Sequence, residues 1–176
     1  MDETIHIKYL WKTKEIVTGY KYHQKSSNTY RIFGIAYFVI GIFNVVSGLY
    51  NVFVNHDSGS WLFVALGLYL LFANQIKLFF YARNCKQSNY ENKQVEWEIN
   101  KDIIIHRSIN LSESKFSWDL IQGVLDTPDG FLLYPQKNMF YWLPKKAFNN
   151  EEDIAHFVFI AKNNVKNWQE VNNYFT

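Results

Sequence analysis

Residues 32–54 read IFGIAYFVIGIFNVVSGLYNVFV, 23 residues without a charged side chain. At the helical rise this stretch extends about 34 Å, enough to cross a hydrocarbon core of about 30 Å with some tilt. Fourteen of its residues are Ile, Leu, Val or Phe, worth roughly −4 to −8 kcal/mol of insertion free energy near the bilayer centre. Asn44, Ser47 and Asn51 offset part of that. A second run, WLFVALGLYLLFANQIKLFF at 61–80, is roughly 30 Å long as a helix. With Tyr81 it makes a second span, 61–81, near whose end the long stem of Lys77 can carry an ammonium to the headgroups.

The six residues between them, Asn55 to Ser60, leave room only for an antiparallel hairpin, so both termini share one side. Lys14, Lys21, Lys25 and Arg31 precede the hairpin, Arg83, Lys86 and Lys93 follow it, and the connecting loop has neither Lys nor Arg. The excess of basic residues places both termini in the cytoplasm, with Trp61, Tyr30 and Tyr81 at the interfaces. The competing reading, two buried helices of a soluble core, calls for a charged stripe at helical period that neither run has.

Gly34, Gly41 and Gly48 recur every seven residues, with Tyr37, Asn44 and Asn51 three places on, and Ser60, Gly67, Asn74 and Tyr81 form the matching row. Folding the hairpin about its loop centre sets Gly48 against Gly67 and Gly41 against Asn74, with Asn44 within a turn of Asn74. Small residues and amides are suited to close helix packing, within the hairpin or between subunits. A polar path lined by Asn44, Asn51, Asn74 and Lys77 would require an oligomer, because two helices enclose no pore.

The net charge of +2 comes from 18 basic and 16 acidic residues, too mixed to point to nucleic acid. One cysteine, Cys85, excludes an internal disulfide framework, and 8 Gly with 3 Pro exclude collagen-like and disordered classes. The first thirty residues are charged throughout, so insertion by retained helices is expected rather than by a cleaved signal.

Outside the hairpin, Thr4 to Leu10 alternates as a half-buried strand, and Thr13 is placed to cap a helix running toward Ser27. Residues 1–31 are thus an N-terminal strand and helix, 82–93 a linker, and 94–176 a small domain. In that domain Val95–Ile99, Ile103–His106, Phe116–Trp118, Val124–Thr127, Phe131–Tyr134 and Met139–Leu143 read as six strands of an antiparallel sheet curled on itself. Asn100 with Lys101, the run Pro128–Gly130 and the run Gln136–Asn138 supply turns. Asn150 caps a following helix whose apolar face is Ile154, Phe157, Val158, Ala161, Val165 and Trp168.

The chemistry-bearing residues form no constellation. His6, His23, His56, His106 and His156 are scattered, and no phosphate loop, nucleophile elbow or dinucleotide fingerprint occurs. No catalytic, cofactor or metal site is expected. Lys145 and Lys146, just after Pro144, are the candidate contact with anionic lipid or a partner, against the plainer reading of solvated charge.

This arrangement resembles the YcxB-like family of small bacterial membrane proteins. The features that carry the resemblance are Tyr22 and His23 before the hairpin, the hairpin itself, and the C-terminal residues Trp118, Ile121, Val124, Phe131–Tyr134 and Leu143–Phe148. It implies an α+β membrane protein whose cytoplasmic sheet domain has pleckstrin-homology-like form capped by a helix, in a family without an established activity. Two functions are open: an interaction module tethered to the bilayer for a protein or lipid headgroups, or an immunity protein neutralising a membrane-acting toxin.

Overall fold

The computed structural model describes residues 4–88, 91–108, 112–136 and 139–171. Lys137 and Asn138, part of one expected turn, lie outside them. The chain divides into two compact units, residues 1–23 with 84–176, and residues 24–83.

The first unit is α+β. Strands β1 (Ile5–Leu10), β2 (Gln94–Ile99), β3 (Ile103–Ser108) and β4 (Ser112–Ser117) form one antiparallel sheet in that order. Strands β5 (Gly123–Asp126), β6 (Gly130–Gln136), β7 (Met139–Pro144) and β8 (Asn167–Glu170) form a second, in the order β7-β6-β5-β8. Alternation explains the first sheet: Ile5 and Ile7, Val95, Trp97 and Ile99, and Ile104 all point inward and are buried. The opposite face carries the pairs Lys8–Glu96, Arg107–Glu98 and Arg107–Glu113.

Three expectations need correction. The domain has two sheets rather than one, and its N-terminal strand is part of it: β1 pairs with β2 from Ile5↔Ile99 to Leu10↔Gln94. Trp168 is not on the helix. Helix α4 (Glu151–Asn164) stops at its C-cap Val165, and Trp168 lies on β8, which runs parallel to β5. A four-residue strand reached only through that pairing has too short a period to be separated from a helix tail in sequence.

Helix α4 begins as expected, with the Asn150 side chain accepting from the Asp153 N–H at 2.7 Å and three acids in its first turn. Its buried face is Phe157, Ile160 and Ala161. Phe157 sits against Phe131, Phe148 and Trp118 with ring centroids 4.6, 5.7 and 6.3 Å away, closing one end of the core shared by the two sheets. The other face of the second sheet, Leu125, Leu132 and Trp142, is covered by Ile16 and Tyr22 of helix α1 (Thr13–Ser26).

The second unit consists of helices α2 (Asn28–Phe53) and α3 (Trp61–Lys86), joined through a 3-10 turn at Ser58–Ser60 that the Asp57 carboxylate caps. Both are long and apolar enough to cross a membrane.

Candidate functional site

The informative region is where the chain leaves the first sheet for the helices and comes back. After β1 the ladder continues past the strands: the Trp11 N–H donates to the Lys93 carbonyl and the Asn92 N–H to the Trp11 carbonyl, both at 2.8 Å. Asn92 has φ of 61°, a left-handed conformation that Asn tolerates better than most residues. Glu91 then closes the junction, its Oε2 accepting from the Thr13 hydroxyl at 2.6 Å and the Thr13 N–H at 3.0 Å. Thr13 therefore opens α1 without capping it; the carboxylate of the returning chain satisfies the helix N-terminus instead.

Helix α1 is fastened along the second sheet by four further contacts. Gly19 faces the Trp142 indole so closely that a Cβ there would stand 2.9 Å from two of its carbons. The Tyr22 ring stacks on Trp142 and its hydroxyl donates to Asp129 Oδ2 at 2.9 Å. Burial and then that hydrogen bond push the Tyr22 phenol up to about 12. His23 places Nδ1 3.1 Å from the Tyr134 hydroxyl and its ring against Phe140, and burial lowers its pKa. Lys146 is the fourth, with Nζ 2.5 Å from Glu15 Oε1.

Lys145 and Lys146 thus have internal partners. Lys145 Nζ lies 2.7 Å from Asp126 Oδ1 and 2.8 Å from the Thr127 carbonyl, above the Phe131 ring at 4.9 Å. It locks the β5–β6 turn, in which the Thr127 hydroxyl donates to the Gly130 carbonyl and accepts from the Gly130 N–H. Lys146 keeps 72% of its side chain exposed beside Glu15, while Lys145 keeps 28%.

Between α2 and α3 the glycine seam forms, one helical turn away from the expected register. Gly67 lies against Gly41 and Val45 rather than Gly48; a Cβ on it would come within 2.6 Å of the Gly41 carbonyl oxygen. Gly48 meets Val64 and Ser60, and Asn74 reaches Gly34 rather than Gly41. The reason is the 3-10 turn: Ser58–Ser60 already follows the path of α3, so the reversal centres nearer Asn55 than the middle of the polar loop. The amides also behave differently. Asn44 donates to the Ile40 carbonyl, Ser47 to that of Phe43 and Asn51 to that of Ser47, so each is satisfied within α2 and Asn44 makes no bond to Asn74.

Sequence reading missed Glu91, Glu15, Asp126 and Gly19. Only Gly19 left a signal, a glycine inside a helix, where it costs about 1 kcal/mol relative to Ala unless close approach requires it. The other three depend on which carboxylate the fold brings to which lysine or helix end.

His106 packs between Trp97 and Tyr141 at 4.4 and 5.5 Å, and burial lowers its pKa as well. Among the described residues no group of three or more His, Cys, Asp or Glu is placed to hold a metal ion.

Residues 99–158 match the family model described as YcxB-like protein, which spans from the end of β2 into α4. No curated protein and no solved structure matches the chain. The match covers the turn at Lys145 and the core around Phe131 and Phe157, and leaves β1 and the helical hairpin outside it. The chain thus carries a YcxB-like region at residues 99–158, about a third of its length.

Proposed function

We propose that this chain is a two-pass protein of the bacterial cytoplasmic membrane that presents a non-catalytic, pleckstrin-homology-like module on the cytoplasmic side for binding a partner protein. The observation that carries the membrane reading is the exterior of the hairpin. Only 11% of the most apolar stretch of α2, and 17% of that of α3, is buried. Side chains such as Ile35, Phe43, Phe53, Leu62 and Phe79 are more than half exposed. A soluble core helix hides such side chains, whereas a bilayer solvates them.

Strand pairing supports the orientation. β1 precedes both helices and β2 follows them, yet they are neighbours in one sheet, so Leu10 and Gln94 occupy one compartment. The helices between them then cross an even number of times. Lys14, Lys21, Lys25, Arg31, Arg83, Lys86 and Lys93 flank the hairpin, against no Lys or Arg in its loop, and this asymmetry supports the cytoplasm as that compartment. The meander β1–β4, the meander β5–β7 and the closing helix α4 support the pleckstrin-homology-like reading.

The internal ion pairs of Lys145 and Lys146 favour a protein partner over headgroups at that turn, because binding lipid there would break contacts already made. The non-catalytic reading rests on the histidines, since His23 and His106 are spent on aromatic packing. The test is photocrosslinking in bacterial cells from the exposed positions Leu120 and Phe159 of the full-length protein. One specific protein adduct is expected, and a toxin so captured would assign the immunity role. Adducts to lipid alone would overturn the protein-partner reading.

A further inference from the structure

Within its two apolar runs, 32–54 and 61–80, the hairpin carries one charged side chain, Lys77. Lys77 lies four residues inside Tyr81, about 6 Å along the helix from the aromatic interface. Residues 24–83 contain a single carboxylate, Asp57, about 30 Å away at the loop end. Helical side chains lean toward their own N-terminus, which for α3 is the loop. The Lys77 stem therefore leads away from the nearer headgroups, and its ammonium rests over the Tyr37 ring, 5.3 Å from the centroid. Lys77 and Tyr37 each stand nine residues from the terminal end of their helix, so the ammonium stays near the depth of its own backbone. Beside it, Gly34 leaves a gap bordered by the Asn74 amide, whose Nδ2 would be 3.7 Å from a Cβ at Gly34. Lys77 and Asn74 are both exposed on the hairpin surface.

A cation in an apolar medium is stabilised by a ring face only in part and calls for an anion. Of the anions at a bilayer surface, a lipid phosphate is the one whose acyl chains can lie along the apolar flank of α2 and α3. We propose that Lys77, Asn74 and the face of Tyr37 form a binding site for the phosphate of an anionic phospholipid at the terminal end of the hairpin. The ammonium supplies the charge, the Asn74 amide a second donor, and Gly34 the room. This rests on the membrane reading above and adds a ligand to it.

The test uses the full chain in nanodiscs of phosphatidylcholine and phosphatidylglycerol, with native mass spectrometry counting the retained lipids. The wild type is expected to retain phosphatidylglycerol preferentially. Lys77→Gln should reduce that preference roughly fivefold, the worth of one basic contact to anionic lipid. Lys77→Arg should keep it. Equal retention of the two lipids by the wild type, or an unchanged preference in Lys77→Gln, would overturn the site. Displacement of the lipid by inorganic phosphate would assign the pocket to a soluble anion and overturn it too. Protease protection of the same samples separates the two readings: a chain that does not insert sinks both, whereas one that inserts without lipid preference sinks this one alone.

Discussion

Removing β1 should unfold the module although β1 lies on the far side of the helical hairpin in sequence. Ile5 and Ile7 are 2% and 0% exposed. Fully burying such a side chain contributes about 1.5–3 kcal/mol, so the two together supply about 3–6 kcal/mol. The Tyr9 hydroxyl adds a 2.8 Å hydrogen bond to the Trp142 carbonyl, of about 1 kcal/mol. Against a typical domain stability of about 5–15 kcal/mol, that loss is comparable to the whole. A chain of residues 94–171 is therefore expected to lack a cooperative urea transition and dispersed amide resonances. Residues 4–26 joined to 91–171 through about a dozen Gly and Ser, with a reach of about 20 Å, should have both. This second chain keeps α1 over Trp142 and shortens the loop that must close, a gain of about 1.5 kcal/mol. If residues 94–171 alone unfold cooperatively and adding residues 4–26 leaves the midpoint unchanged, the insertion of the hairpin into the first sheet is refuted.

Three further outcomes are expected. Gly67→Ala should lower the melting temperature in detergent, because its Cβ meets backbone at 2.6 Å and overpacking costs about 1–3 kcal/mol. Gly34→Ala, with only the Asn74 amide at 3.7 Å, should be neutral or stabilising, and equal effects at the two sites would refute the seam register. Lys145→Ala should cost about 1–3 kcal/mol in urea unfolding by stranding a part-buried Asp126, with most of the loss recovered in the double variant with Asp126→Asn; a change within error would remove its role at the turn. Burial lowers the pKa of His23 and of His106, so the folded state favours their neutral forms. Stability should be complete above the unfolded value of about 6.5 and fall as the pH drops from there toward the depressed folded values, and His23→Phe with His106→Phe should flatten that slope.

Residues whose environment is set by neighbours in sequence were legible. The two apolar runs, the strands around Val95, Ile104 and Phe131, and the Asn150 cap with its acidic first turn all follow from period and local chemistry. What escaped reading depends on contacts far apart in the chain. The Thr4–Leu10 alternation marks a strand, but nothing local says that its partner is 84 positions on, from Leu10 to Gln94. The short strand β8 exists only through its parallel pairing with β5. The seam slipped by a turn because six polar residues look like a symmetric loop, whereas Asp57 caps a 3-10 turn that already belongs to the second helix. At Lys145 and Lys146 the charges were visible, but Asp126 and Glu15, which take them up, are 19 and 131 positions away.

Sided labelling of single cysteines tests the central claim most directly. With Cys85→Ser as background, Ser58→Cys in the loop, Lys8→Cys on β1 and Glu113→Cys on β4 are each treated with a membrane-impermeant maleimide, in intact and in permeabilised cells. Ser58→Cys should react in intact cells, and the two strand positions only after permeabilisation. Reaction of Lys8→Cys and Glu113→Cys from opposite sides would contradict a single sheet interrupted by two membrane crossings.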